Sequence, residues 1–323
     1  MTTWLLTGGA GYIGAHVLRS LQESGREVVV LDDLSTGLER KVPQGVPLVR
    51  ADINDRDAVE AALRDHRIDG VVHLAAKKAV GESVAHPALY YRENVGGLTT
   101  LLAAMDAAGV GNFVFSSSAA TYGAPDVDLV TEDSPTVPTS PYGETKLVGE
   151  WLTRAQGVAT GLSWISLRYF NVAGAGASDL GDVGAFNLVP LVLRAYSRGE
   201  AAKVFGDDYP TPDGTCVRDY IHVADLADAH VAAAAATESG GRADTYNVGT
   251  GEGYSVSQVI DAIRRVAGID LKSEVVARRP GDPPRIVASA ERIRAELGWS
   301  ATHGLDDIVA SAWEAWQAHP ATD

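Results

Sequence analysis

The chain has 323 residues, 46% hydrophobic and 21% charged, enough apolar content to bury a large core and too much for a disordered chain. Its net charge of −15 argues against nucleic acid or an acidic membrane surface as a partner, because both need a positive face. The single cysteine, Cys216, excludes an internal disulfide and fits a reducing, cytoplasmic setting.

Trp4-Leu5-Leu6-Thr7 reads as a short buried strand, and Gly8-Gly9-Ala10-Gly11-Tyr12-Ile13-Gly14 follows at once. The stretch 15–23 is amphipathic and predicts a helix. A second β-branched run, 27–31, ends in Asp32-Asp33. The glycines fit G-x-G-x-x-G at Gly9, Gly11 and Gly14, and a wider spacing at Gly8, Gly11 and Gly14. Glycine lets the backbone turn with positive φ and approach a phosphate closely. The helix that starts there points free N–H groups and a positive dipole end at an anion. An acid about twenty residues on can take the ribose hydroxyls of an adenosine. Asp32 would repel a 2′-phosphate, so NAD is expected rather than NADP.

Further along, 47–50 reads as a strand leading to Ala51-Asp52-Ile53-Asn54, and 55–65 as a helix. The run 70–76 is a buried strand ending in Leu74-Ala75-Ala76, small enough to let a cofactor lie against it. Helix 94–108, strand 112–116, helix 140–156 and strand 162–167 follow. Strands alternating with helices predict a doubly wound α/β fold, a parallel Rossmann-type sheet over residues 1–172 with ligands at the strands' carboxyl ends. Composition shifts at the Gly/Ala/Asp-rich loop 173–184. Beyond it come helices near 186–198, 224–236, 255–267, 289–297 and 304–317, with short strands near 203–205 and 245–248. These predict a smaller mixed α/β C-terminal substrate lobe over 173–323, with some later segments packing back on the first domain. No apolar run approaches a membrane span of ~18 residues, and the N-terminus lacks a signal peptide's basic region. The histidines show no metal-ligand spacing, so no metal is expected.

Chemistry concentrates at two places. Ser116-Ser117-Ser118 ends a strand, on the ligand-binding edge of the sheet. Tyr142 and Lys146 lie four apart at the start of a helix, hence on one face. Lowering a tyrosine from its usual ~10 to near 7 requires about 4 kcal/mol. Two positive charges at ~4–6 Å, the lysine and an oxidised nicotinamide, supply roughly 3–4 kcal/mol each before desolvation is subtracted. The pair is adequate for a general base at neutral pH. The arrangement is also self-timing, because reduction of the nicotinamide removes one charge and readies the phenol to return its proton.

Thr7 to Gly14, Ser118, Tyr142-x-x-x-Lys146 and Arg168-Tyr169-Phe170-Asn171 resemble the extended short-chain dehydrogenase/reductase superfamily. Lys78-Ala79-Val80-Gly81-Glu82-Ser83, Ser140-Pro141-Tyr142-Gly143, Asp207-Asp208-Tyr209-Pro210-Thr211, Val217-Arg218-Asp219-Tyr220-Ile221-His222 and Arg279-x-Gly281-Asp282 are similar to the UDP-glucose (UDP-galactose) 4-epimerase family, nearly end to end. The resemblance implies C4 inversion through a transient 4-keto sugar, with NAD recycled internally. By it Tyr142 is the base, Ser118 hydrogen-bonds the 4-oxygen and Lys146 also holds the nicotinamide ribose. Gly8, Gly11, Tyr12, Ile13, Gly14, Asp32, Asp33, Asp52, Ile53, Leu74, Ala75, Ala76, Lys78, Asn94 and Tyr169 complete the implied NAD site. Asn171, Asn187, Leu188, Phe205, Arg218, Tyr220, Arg279 and Asp282 fall at nucleotide-binding positions, with Phe205 and Tyr220 beside the uracil. The two arginines suit a diphosphate, since a guanidinium fork matches phosphate oxygens. The family also implies a homodimer through sheet-flanking helices.

The chain departs from the family pattern in places. Ala119-Ala120-Thr121 replaces Ala-Thr-Val after the serine, His73-Leu74-Ala75-Ala76-Lys77 replaces an aromatic-Ala-Gly-aliphatic run, and Asp33 stands for a common asparagine. Loop 173–184 is short. Ile286 occupies the gate position, where a tyrosine excludes N-acetyl sugars, so some acceptance of UDP-N-acetylhexosamines is expected. Three alternatives stay open: a UDP-pentose or UDP-uronate 4-epimerase, a 4,6-dehydratase, and an NAD-sensing regulatory protein. The dehydratase chemistry needs an acid–base pair where Ala119-Ala120 stand, and a regulator has no need of Ser118, Tyr142 and Lys146 together.

Overall fold

The computed structural model describes residues 1–184, 187–279 and 281–319. Among them the strands are β1 (Thr3–Thr7), β2 (Glu27–Asp32), β3 (Leu48–Arg50), β4 (Gly70–His73), β5 (Asn112–Ser116), β6 (Ser163–Tyr169), β7 (Asn171–Ala173), β8 (Ala202–Phe205), β9 (Val217–His222), β10 (Ala243–Val248), β11 (Gly253–Ser255), β12 (Ser273–Val276) and β13 (Arg285–Ile286). The helices are α1 (Tyr12–Glu23), α2 (Arg56–Asp65), α3 (Val80–Ala85), α4 (Pro87–Tyr90), α5 (Gly97–Ala108), α6 (Pro141–Thr160), α7 (Leu188–Ser197), α8 (Val223–Glu238), α9 (Val256–Ala267), α10 (Glu291–Leu297) and α11 (Leu305–Ala318).

Seven strands form one sheet in the order β10-β6-β5-β4-β1-β2-β3, every pair parallel. The side-chain period of two splits each strand between two cores. Trp4, Leu6, Val28, Val30, Val72, Val114, Ile165 and Leu167 face α1 and α8. Leu5, Val29, Leu31, Val71, Phe113 and Trp164 face α2 and α5. The chain leaves β1 toward β2 and β3, then returns to β4 on the other side. That reversal opens a crevice at the carboxyl ends of β1 and β4, where an α/β sheet binds its ligand.

A third core joins α7, β8, β9, α9 and α11 into the lobe, with Val192, Val204, Val259, Ile263, Ile308 and Trp316 at its centre. The strand expected in the lobe near 245–248 is instead β10, which pairs with β6 as the sheet's edge. The helix expected near 224–236 is α8, which lies on the α1 face of the sheet. The sheet therefore runs past residue 172. Its last strand is reached only after the excursion through the lobe's first segments, which an order-based reading cannot see.

The helix expected over 94–108 is α5 preceded by α3, α4 and a wide turn of helix, Tyr91–Gly96. The helix expected over 186–198 begins at Leu188, and Phe186 lies outside the described residues. Among the described residues no helix is long and apolar enough to cross a membrane, and no group of three or more His, Cys, Asp or Glu could hold a metal.

Candidate active site

The glycine-rich turn sits at the crevice. Gly8 has φ +73°, and a Cβ there would lie 2.8 Å from the Ala75 nitrogen, so β1 and the 74–76 segment close to a gap only glycine leaves. A Cβ on Gly14 would lie 2.1 Å from the Gly8 carbonyl, so α1 starts directly against the turn. Gly11 is the N-cap of α1, extended and without a side-chain cap, which leaves the first N–H groups of Tyr12, Ile13 and Gly14 to a ligand. Asp32 is buried at the end of β2 and accepts the Ala10 N–H at 2.9 Å and the Leu34 N–H at 2.9 Å. Burial pushes its carboxyl up, and those two hydrogen bonds pull it back. Leu34 follows in a left-handed conformation, φ 58°, a strained position beside the acid. These features fit a dinucleotide: a cradle that a side chain would fill, donors for a pyrophosphate, and an acid for a ribose.

The other residues expected around NAD are spread more widely. Asp33 and Asp52 are exposed on neighbouring turns, and Lys78 is exposed at the rim. Leu74, Ala75 and Ala76 are half-buried at the end of β4. Ile53 is buried in the sheet core, where a Cβ on Gly97 would lie 2.5 Å from its methyl group. The Asn94 amide is engaged by protein. It accepts the Lys77 N–H at 2.8 Å and donates to the Lys77 carbonyl and to Thr145 Oγ1, each at 3.0 Å. Its side chain ties the 74–78 wall to α6.

Ser118, Tyr142 and Lys146 come together at the edge of the sheet. Ser118 closes the strand end of β5, and its Oγ accepts the Ala120 N–H at 3.2 Å. α6 starts on Pro141, with the Ser140 Oγ accepting the Gly143 N–H at 3.2 Å. A Cβ on Gly143 would lie 2.5 Å from the Ala120 carbonyl, so the helix end packs on the turn that follows Ser118. This brings the Ser118 hydroxyl up to the Tyr142 phenol, close enough to act on its ionisation. Lys146 Nζ donates to the Ser116 carbonyl at 2.7 Å and lies 6.0 Å from the centre of the Tyr142 ring.

Burial pushes the Tyr142 phenol up, opposed by the Ser118 hydrogen bond. Burial holds the Lys146 ammonium down to about 8, opposed by the charge of Glu150. In general an ammonium ~6 Å from a phenolate oxygen is worth about 3 kcal/mol at an effective dielectric near 20, less than the ~4 kcal/mol that a shift to neutral pH requires. A second positive charge is needed to make the base. Tyr169 hydrogen-bonds the Ser116 hydroxyl and is raised by burial.

Sequence reasoning missed the polar network beneath this site. Arg168 forks onto Glu150, Nε to Oε1 at 2.8 Å and Nη2 to Oε2 at 2.6 Å, both side chains buried. Arg168 Nη1 donates to the Tyr122 hydroxyl at 2.9 Å, which donates to Asn247 Oδ1 at 2.7 Å. Ser117 donates to Glu150 from the strand side. Glu150 is one helical turn past Lys146, the only hint the sequence offered.

The expected nucleotide residues gather in the lobe. Asn171 in β7 pairs with Tyr220 in β9, and Arg218 in β9 pairs with Ile286 in β13. Arg218 Nη2 donates to Asp282 Oδ1 at 2.8 Å. The Arg279 guanidinium lies 3.8 Å from the centre of the Phe205 ring. Asn187 donates to Asp182 Oδ2 at 3.0 Å and caps α7 with no side-chain bond, and Leu188 opens that helix. Tyr220 is buried in the lobe core, next to Arg218 on β9. Ile286 is buried against Ala119, Tyr122, Val130, Phe170 and Ala288, beside the turn that follows Ser118.

A switch-point glycine turn with a serine, tyrosine and lysine at the next strand end defines a site of the short-chain dehydrogenase/reductase class. The chain belongs to the NAD dependent epimerase/dehydratase family, whose model matches residues 4–249. It is similar to the UDP-glucose 4-epimerase of Azospirillum brasilense, 48% identical over 317 residues, 96% of this chain and 91% of that one. The crystal structure of the UDP-glucose 4-epimerase of Stenotrophomonas maltophila, with bound NAD and formylated UDP-arabinopyranose, superposes with a TM-score of 0.94 at 42% identity over 98% of each chain. That of Bifidobacterium longum, in complex with NAD+ and UDP, gives 0.91 at 39% identity over 99% of each.

Proposed function

We propose that this chain inverts C4 of a UDP-hexose, interconverting UDP-galactose and UDP-glucose through a transient 4-keto sugar. The observation that carries the reading is the meeting of Ser118, Tyr142 and Lys146 at one strand end, with the Lys146 ammonium 6.0 Å from the centre of the Tyr142 ring, beside a built dinucleotide cradle. Bound in that cradle, the nicotinamide supplies a reversible hydride acceptor and the second positive charge. Gly8, Gly11, Tyr12, Ile13 and Gly14 would hold the pyrophosphate end, Asp32 the adenosine ribose, and Lys146 the nicotinamide ribose.

Tyr142 takes the proton of the sugar 4-hydroxyl and later returns it. Ser118 holds the 4-oxygen in place for both faces of the sugar. Lys146 stabilises the phenolate that Tyr142 must be before it takes the proton and becomes again when it returns it. The sugar must turn within the site, so affinity comes from the nucleotide: Arg218 and Arg279 on the diphosphate, Phe205 on the uracil, Asn171, Asn187, Leu188 and Asp282 around them. Arg218 is held by Asp282 and Arg279 lies over Phe205, which keeps both guanidiniums among these residues. A dehydratase reading fails at Ala119, which is buried in an apolar cluster and offers no acid or base.

Ile286 widens the substrate range. It packs beside the sugar end of the site and is smaller than a tyrosine, so UDP-N-acetylhexosamines are accepted as well. The working form is a homodimer on the outer face of α6, where Trp151 and Val158 are 53% and 86% exposed and lie seven residues apart on one stripe. A monomer mass by light scattering would count against that. The lone buried thiol, Cys216, suits a reducing cytoplasm. The function itself is tested with UDP-galactose and purified protein without added NAD. UDP-glucose should form. Silence there, and on UDP-pentoses and UDP-glucuronate with NAD added, would defeat the reading.

A further inference from the structure

Loop 173–184 is fastened along one face of α1. The Tyr12 hydroxyl donates to the Gly174 carbonyl at 2.6 Å, His16 Nε2 accepts the Gly176 N–H at 2.8 Å, and Arg19 Nη2 bonds Asp179 at 2.6 Å. Residues 12, 16 and 19 share that face by helical spacing. The last fastening comes from elsewhere. Lys41, in the short turn Glu39–Lys41, is only 3% exposed and donates from Nζ to the Gly181 carbonyl at 2.9 Å, 5.8 Å from the centre of the Tyr12 ring. Its own segment is tied to the glycine-rich turn, since the Leu38 N–H donates to the Ala10 carbonyl at 2.9 Å.

The other end of the loop reaches the nucleotide site. Asp182 accepts the Gly184 N–H at Oδ1 and the Asn187 amide at Oδ2, each at 3.0 Å. One chain of contacts therefore runs from the dinucleotide cradle through Lys41 and the 181–184 turn to Asn187 and the start of α7. Burying an ammonium is costly, and a leucine would cover the Tyr12 ring without that penalty. Burial does hold the Lys41 ammonium down to about 8, with Asp182 and Asp179 opposing and Arg40 and Lys78 adding to the fall. The exposed Arg19–Asp179 pair contributes little by comparison.

We infer that Lys41 is a positioning residue for the UDP-sugar: by holding Gly181 it fixes the 181–184 turn, and through Asp182 it sets the Asn187 side chain and the first turn of α7 for the nucleotide. The inference rests on the function proposed above. It is tested by calorimetric titration of UDP into NAD-loaded Lys41→Met, Asp182→Asn and the double variant, with NAD content measured on the same samples. Lys41→Met should bind UDP about tenfold more weakly, a lost charge-assisted hydrogen bond acting at a distance. The KM for UDP-galactose should rise in step, with kcat within about twofold and NAD retained. The double variant should bind no more weakly than the weaker single, because both act through one turn. UDP affinity within twofold of wild type, additive losses, or loss of NAD instead of UDP would each overturn the inference. Wild-type protein that binds no UDP would remove the functional reading itself, and the inference with it.

Discussion

Replacing Arg168 by methionine should show how much the site depends on the ion pair beneath it. The change removes two short bonds to Glu150, 2.8 and 2.6 Å, and one of 2.9 Å to Tyr122. Glu150 is then left buried with Ser117 as its one remaining donor in this network. Orphaning one partner of a buried pair costs about 3–5 kcal/mol, more than the pair itself is worth. For a chain of this size that lowers the melting temperature by on the order of 5 °C. The double variant Glu150→Leu/Arg168→Met carries no orphan charge and should recover most of the loss. Thermal melts with bound NAD, read by circular dichroism, make the comparison. A melting temperature for Arg168→Met within about 1 °C of wild type, or a double variant less stable than the single, would refute the reasoning.

Other outcomes follow from the same geometry. Tyr142→Phe should keep NAD and UDP and lose about 10²–10⁴ in turnover, and near-wild-type rates would remove its role. The Lys146 charge is present below about 8 and lost above it, so kcat should fall as pH rises through that value; an alkaline limb above 10 would contradict the assignment. His16, His73, His222 and His230 are held neutral by burial, at about 4, 3, 4 and 4. Their folded values lie below the unfolded one, so stability is full above about pH 6.5 and is lost as pH falls toward 4; melts unchanged between pH 7 and 5 would disagree. Ile286→Tyr should lower efficiency on UDP-N-acetylglucosamine relative to UDP-glucose by about tenfold, and an unchanged ratio would sink the gate.

The sheet's first six strands were legible because each is a short apolar run between turn residues, all but β3 largely buried. The glycine turn and Asp32 were legible because phosphate and ribose recognition demand those residue types at fixed spacing. Ser118, Tyr142 and Lys146 were legible as a set because a strand end and one helix face place them. What stayed hidden was pairing across long separations. Nothing in the run 243–248 says that it completes a sheet begun at residue 3. Nothing in Lys41 says that its ammonium reaches residue 181. Arg168 stood in a quoted motif, yet its partner Glu150 could be found only by folding the chain. Hidden too were the protein contacts of expected site residues, the Tyr220 ring in the lobe core and the Asn94 amide on Thr145.

The most direct measurement follows the hydrogen at C4. UDP-galactose carrying deuterium there is turned over by purified protein with no added NAD, and the UDP-glucose formed is analysed by mass spectrometry and NMR. The account predicts deuterium retained at C4, because it leaves and returns within one site while Tyr142 handles only the hydroxyl proton. Deuterium lost to solvent, or left on the protein-bound cofactor and missing from the UDP-glucose, would contradict internal recycling and with it the epimerase reading.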